Sequence, residues 1–167
     1  FIFYENIYSA YASYNLRTKN KWSFRVGTRT ELTDVNFKQT KSADNNLKPY
    51  LNFFPNISIN KLLKKKYNMG ISYSMRINRP RDFALNPQID NADTTNIFYG
   101  NPNLKPSFTH QIDFSLGTYG NKWSVSPRVG YAKSVRIIER IRTIDTIGIT
   151  KGNAITTYQN LAASESY

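Results

Sequence analysis

Cysteine is absent from the 167 residues, and histidine occurs once, at His110. The first absence removes disulfides, thiolate metal sites and cysteine nucleophiles together. The second leaves no His-based metal cluster and few routes to a catalytic triad. Negative charge is scarce too, with 11 acidic residues against 23 basic ones and a formal charge of +12. No apolar run approaches the roughly 18 residues that a spanning helix needs. The start shows no basic segment followed by an apolar one, so no secretory signal is expected within this stretch. With no domain linker, low-complexity tract or coiled-coil heptad, the chain reads as one domain.

What is present is alternation. From Tyr67 to Ile77, Tyr67, Met69, Ile71, Tyr73, Met75 and Ile77 point one way, and Asn68, Gly70, Ser72, Ser74, Arg76 and Asn78 the other. Period two of this length is a β-strand with one apolar and one wet face. Similar strands are expected over 5–16, 22–32, 50–60, 107–116 and 123–131, the last continuing through the β-branched stretch 134–147, with a further strand beginning at 157. The turns at 17–20, 61–66 and 119–122 are short; the connections 34–49, 79–106 and 148–156 are long. Short turns on one side and long loops on the other are the pattern of a transmembrane β-barrel. The expected fold is therefore all-β, an antiparallel up-and-down barrel segment of about six or seven strands.

Composition agrees. Twelve Tyr, ten Phe and two Trp suit aromatic girdles at two membrane interfaces. A mean hydropathy of −0.55 suits a barrel, in which every second residue meets water. The positive charge invites a nucleic-acid reading, but it is spread over turns (Lys61, Lys64, Lys65, Lys66) and wet-face strand positions (Arg25, Arg29, Arg76, Arg128). A nucleic-acid surface needs its charge gathered on one face, so no such partner is expected. In the second strand, Lys21, Ser23, Arg25, Gly27, Arg29 and Glu31 share a face that a packed core would leave with unpaired charges. A water-filled lumen accepts them.

The segments Ser72-Tyr73-Ser74-Met75-Arg76-Ile77-Asn78-Arg79-Pro80, Leu85-Asn86-Pro87 and Gly100-Asn101-Pro102-Asn103-Leu104-Lys105-Pro106, with Thr109-His110, resemble the outer-membrane β-barrel family related to TonB-dependent receptors, common in Bacteroidota. Ser107 stands where that family usually has Glu. The resemblance implies a barrel of about 22 strands around a plug, in the outer membrane of a Gram-negative bacterium. It implies as partners outer-membrane lipid or lipopolysaccharide, the protein's own plug, the TonB system and an unknown nutrient ligand. The chain starts without Met and stops inside an alternating segment, so residues 1–167 are expected to be a partial barrel, with plug and closing strands outside it.

Candidate sites are few. His110 shares phase with Phe108 and Ile112 on the outward face, near the loop end, and reads as a headgroup-level residue. A lipase-type Ser–His pair is the sharper alternative, but no serine is spaced to complete it, so no catalytic residue is expected. Asp82, Asp90 and Asp93 lack the spacing of a known Ca²⁺ loop and read as solvated carboxylates; no metal or other cofactor is expected. The prolines and Asn-Pro steps of 79–106 restrict the backbone, so this loop is expected to be folded and to carry any ligand contact, with Phe83, Tyr99 and Asn101 as candidates. Lumenal Arg25, Arg29, Arg76 and Arg128 either guide an anionic substrate or pair with plug carboxylates, the second being favoured. A receptor or transport barrel is the leading reading. A small anchor or adhesin barrel and a soluble sugar-binding sandwich stand behind it.

The face assignment makes a direct prediction. Ile71→Arg should cost roughly 2–4 kcal/mol if it lies near the bilayer midplane. Ser72→Arg, one residue away on the lumenal face, should cost much less. Equilibrium unfolding of the two variants in lipid checks the order, and a reversed order would show the faces to be inverted.

Overall fold

Alternating sequences pair with one another as adjacent hairpins, because each strand's apolar row then continues its neighbour's. The computed structural model describes residues 2–38, 45–64, 66–90, 92, 95–145 and 152–167. Its strands are β1 (Ile2–Arg17), β2 (Trp22–Lys38), β3 (Asn45–Leu63), β4 (Tyr67–Asn78), β5 (Asn96–Phe98), β6 (Ser107–Tyr119), β7 (Ser124–Val125), β8 (Arg128–Ile144) and β9 (Ala154–Ser166), with one helical turn, α1 (Asp82–Leu85). They form one sheet in the order β1-β2-β3-β4-β6-β8-β9-β5, with β7 beside β6. All pairs are antiparallel except β5 with β9. β1 and β9 do not pair, so the sheet is an open wall rather than a closed barrel.

Register confirms the two faces. Ile59, Ile71, Phe114 and Val129 lie at matched positions across four strands. Val129, at 71%, is among the most exposed of the large apolar side chains on this face, together with Tyr8 and Tyr14. Ser58, Ser72, Asp113 and Gly130 occupy the opposite face at similar height. An apolar face left this open belongs against lipid.

Several boundaries differ from the sequence expectation. Much of the connection expected over 34–49 is strand, with Val35 opposite Leu47 and Phe37 opposite Asn45. Asp34-Val35-Asn36-Phe37-Lys38 alternates too, but its apolar positions are odd-numbered where those of the strand before it are even. The period therefore breaks between Leu32 and Val35, and the segment does not read as a continuation of β2. Residues 39–44 lie outside the described ones. Irregularity was expected at Pro55, yet Pro55 sits in register opposite Thr28; the shift falls between Thr33 and Val35. Across from it the extra residue lies around Lys48-Pro49. Pro55 instead adjoins the point where the β3–β4 ladder stops, at Asn56 opposite Ser74, consistent with its missing N–H. β3 runs on to Leu63, which shortens the expected 61–66 turn and puts Lys61 in the strand. β9 starts at Ala154, inside the expected 148–156 loop; residues 146–151 lie outside the described ones. The strand expected from 123 is dented at Ser126-Pro127, but register passes through unbroken, from Thr118 opposite Val125 to Ser115 opposite Arg128.

In its described residues the connection 79–106 is folded, as its punctuation implies, and it contributes Ala84, Leu85 and Leu104 to the buried core. Val35, Ala84, Leu85 and Leu104 form a buried cluster, with Phe3, Ile138 and Tyr158 packed against it. These wall residues come from β1, β2, β8 and β9, far apart in the strand order. The sheet therefore curls, and the connection lies inside the curl. Its two proline motifs clasp each other: Gly100 donates its N–H to the Asn86 carbonyl at 2.7 Å, and Asn101 donates to the Ala84 carbonyl at 2.7 Å.

Gly100 is required by that clasp. A Cβ there would meet the Ala84 and Asn86 carbonyl oxygens at 2.6 Å each and the Asn86 nitrogen at 2.7 Å, all backbone atoms that cannot swing aside. Gly100→Ala should therefore loosen the connection while leaving the wall intact. Protease cleavage within 82–104 of the full-length protein should rise several-fold while its heat-modifiable electrophoretic mobility stays native. An unchanged cleavage rate would refute the clasp.

Candidate functional site

The site is built where β4 leaves the membrane. Arg79, the first residue after β4, turns back across the inner wall to β2. It donates through Nη2 to the Glu31 carboxylate and, at 3.1 Å, to the Thr33 hydroxyl. Its Nε lies 3.5 Å from a Glu5 oxygen, close enough for an ion pair but without hydrogen-bond geometry. Glu31 also forms an ion pair with Arg29, whose Nε lies 3.0 Å from its other carboxylate oxygen, and is itself only 5% exposed. Burial works against the Arg79 charge. Hydrogen bonds and attraction from Glu31 and Tyr50 outweigh it and hold the guanidinium pKa above its ordinary value. The result is a carboxylate clamped between two guanidinium groups, one from the wall and one from the connection.

A second set of contacts fastens the far side. Along β9, Thr156, Tyr158 and Asn160 follow one another on the inward face, and each binds the connection. Thr156 donates to Asn96 Oδ1 at 2.9 Å, and its carbonyl accepts from Tyr99 N at 3.2 Å. The Tyr158 carbonyl accepts from Asn101 Nδ2 at 3.1 Å. Asn160 exchanges two bonds with the Lys105 backbone, each 2.8 Å. β5 adds a parallel ladder to β9 from Asn96 to Phe98.

Of the candidates read from sequence, Phe83, Tyr99 and Asn101 all lie in this folded connection. Phe83 packs edge-on against Tyr158, with ring centroids 5.9 Å apart, and remains 44% exposed. Phe98 meets the same tyrosine at 6.0 Å. The Asn101 side chain is engaged at both ends, since its Oδ1 accepts from Asn103 N at 3.0 Å. Phe83 therefore offers a free surface, while Asn101 works as a fastener. Asp90 Oδ1 accepts from Ala92 N at 3.0 Å, an Asx turn; Asp93 lies outside the described residues. Among the described residues no three acidic or histidine groups converge on a metal position.

The four lumenal arginines divide. Arg25 donates to Asn15 Oδ1 at 2.8 Å, and Arg29 pairs with Glu31 and stacks over Phe54 at 5.1 Å. Arg76 and Arg128 are exposed and form no ion pair among the described residues. On the outward face, His110 Nδ1 shares a hydrogen bond of 2.9 Å with the Tyr73 hydroxyl. Arg79 itself, together with Thr156 and Asn160, went unnoticed as a site residue; the Arg79-Pro80 step inside the resemblance motif was the one available signal.

The model of the outer membrane protein β-barrel family matches residues 1–167. The chain belongs to that family. It is thus an outer-membrane β-barrel protein, and its solved structural relatives are receptors and transporters. The Serratia marcescens hemophore receptor HasR, solved with its hemophore HasA and heme, superposes with a TM-score of 0.75 at 13% identity over 96% of this chain. The Pseudomonas aeruginosa siderophore receptor PirA gives 0.61 at 13% identity over 96%. The copper transporter OprC gives 0.65 at 14% identity over 92%. At these identities the likeness is one of fold. The chain spans 30%, 38% and 24% of those three proteins, respectively. Comparison with curated protein sequences finds no match.

The clamp is testable in the full-length family member. Arg79→Met leaves a buried Glu31 with one partner fewer, which should destabilise the docked connection by about 3 kcal/mol. Amide exchange across 82–104 should accelerate accordingly. Arg79→Lys should fall between, because an ammonium cannot reproduce the fork. Equal exchange in all three proteins would show that the clamp does not hold the connection.

Proposed function

We propose that residues 1–167 are one stretch of the wall of a larger outer-membrane barrel, and that the whole protein is a receptor that takes up a nutrient ligand with energy delivered through the TonB system. The observation that carries this reading is the connection 79–106. It is folded inward and fastened to both sides of the curl, at Glu31 on β2 and at Thr156, Tyr158 and Asn160 on β9. A barrel used only as an anchor has no need for an ordered element across its mouth. A receptor needs one, both to narrow the entry and to present side chains to a ligand. The open sheet supports a larger barrel over a self-contained one.

Within this reading Phe83 and Tyr99 face the ligand, and Asn101 holds the surface that presents them. Arg76 and Arg128, exposed on the lumenal wall with no ion pair among the described residues, are placed to meet acidic groups of a plug. Arg25 and Arg29 are engaged by the wall and contribute to its shape. Lumenal binding and release, rather than bond-making chemistry, are what this arrangement performs.

The test uses cells making the full-length protein and a panel of heme, a ferric catecholate siderophore and Cu(II). One of these, or a chemically similar nutrient, should accumulate only while the inner membrane is energised. Phe83→Ala should weaken capture about tenfold without lowering the amount of folded protein. Surface binding with no accumulation, or accumulation that persists after an uncoupler, would count against the reading.

A further inference from the structure

The short-turn end of the wall has a feature that the receptor reading leaves unused. On the outward face, Trp22, Ile59, Leu63, Met69, Ile71 and Phe114 border an apolar groove of about 380 Å³ that crosses β2, β3, β4 and β6. Lys61 closes its turn-side end, with Nζ 4.3 Å above the Trp22 ring, its register partner. The two turns beside it are bonded together, Leu62 N donating to the Lys21 carbonyl at 3.2 Å. They bring Arg17, Lys19, Lys21, Lys64 and Lys66 to the same rim, and the segments 17–22 and 61–66 contain no acidic residue. Lys61 makes no ion pair among the described residues, whereas Lys133, on the same face but farther from the turns, is paired with Glu165 at 2.9 Å. Lys21 and Lys64 sit at φ +62° and +44°, where Gly or Asn is the easier choice. Cationic side chains are thus present even where the backbone disfavours them.

An apolar groove running into a cluster of cations that form no ion pair among the described residues, with an indole at the junction, matches a molecule that is half hydrocarbon and half anion. We propose that this groove binds an anionic glycerophospholipid of the leaflet bordering the short turns, which is the periplasmic leaflet in barrels of this kind. One acyl chain lies over Ile59, Met69, Ile71 and Phe114. The phosphate meets Lys61 and the turn ammonium groups, and Trp22 marks the level of the headgroup. The site depends on membership of an outer-membrane barrel family and not on ligand uptake, so the two readings fail separately.

The experiment uses the full-length protein in mild detergent and in nanodiscs. Native mass spectrometry should show phosphatidylglycerol retained at least tenfold more than phosphatidylcholine of the same chain length. The double variant Lys61→Gln/Lys64→Gln should reduce that retention fivefold or more, while Lys133→Gln leaves it unchanged; heat-modifiable mobility establishes that each variant is folded. The wild-type preference between the two lipids is a reading that needs no variant. Equal retention of both lipids overturns the site, as does an equal loss in Lys133→Gln. Protection of Lys61 from amine labelling by a lipid A glycolipid but not by phosphatidylglycerol also overturns it, by placing this end in the other leaflet. Displacement of bound phosphatidylglycerol by an acidic periplasmic protein at micromolar concentration would likewise overturn it in favour of a protein partner.

Discussion

A strand that crosses lipid divides its side chains between two solvents, and the division allows no local compromise. Moving one residue along in register would exchange every side chain for its neighbour's environment. Arg25, Arg29 and Arg76 would then face hydrocarbon, and Val26, Thr30 and Ile77 the lumen. Each midplane arginine would cost about 2–4 kcal/mol. The hairpins are held by this penalty more than by any single contact. The backbone obeys the same constraint, since an unpaired N–H or C=O in lipid has no water to turn to. The dent at Ser126-Pro127 therefore keeps the register, and the Pro127 carbonyl still accepts from Leu116 N at 3.0 Å.

The constraint relaxes where the strands leave the bilayer, and there the protein begins to pack against itself. Val35, Ala84, Leu85 and Leu104 are buried by one another and not by lipid. Polar groups become buried as well: Glu31, Thr33, Ser107 and Thr156 lie near this end, and burial is tolerable because specific partners meet them. Glu31 is the clearest case, with two guanidinium groups around one carboxylate. Wall and connection are consequently stabilised by different physics. The wall answers to phase, and the connection to a clasp of backbone hydrogen bonds around Gly100 and an ion-pair clamp at Arg79. That separation is why a change at Gly100 or Arg79 is expected to loosen the connection and not the wall.

Phase was legible in the sequence because period two needs no knowledge of partners. Tyr67–Asn78 gave both faces of β4, and the alternation of short and long connections gave the hairpin order. Strand lengths were less legible. Residues 34–38 and 45–47 still pair, but Val35 and Phe37 stand on the opposite phase to Leu32 and 45–49 shows no alternation, so both stretches read as loop. The pairing of Asn96–Phe98 with β9 was hidden for another reason: three residues carry no period, and their partners lie more than 50 positions away. A separation of 48 positions hid the clamp in the same way, since nothing local in Arg79-Pro80 points to Glu31. Asn101 was read as a ligand contact from its motif. A side-chain amide bonds well to ligand or to backbone, and only the fold brings the Tyr158 carbonyl within 3.1 Å of it.

The two kinds of position also explain how walls of very low sequence identity superpose. A lipid-facing site asks only for an apolar or aromatic side chain, and a lumenal site only for one that water accepts. Ile71 or Ser72 can therefore be replaced within its class without altering the wall's path. Gly100 and Arg79 admit no such class, the first because a Cβ has no space and the second because no other side chain presents the same fork. Residues that specify this protein among similar walls are therefore concentrated in the connection. On the proposed receptor reading, the ligand's identity is to be sought in the surface that connection presents, beginning with the exposed ring of Phe83, rather than in the strands that carry it.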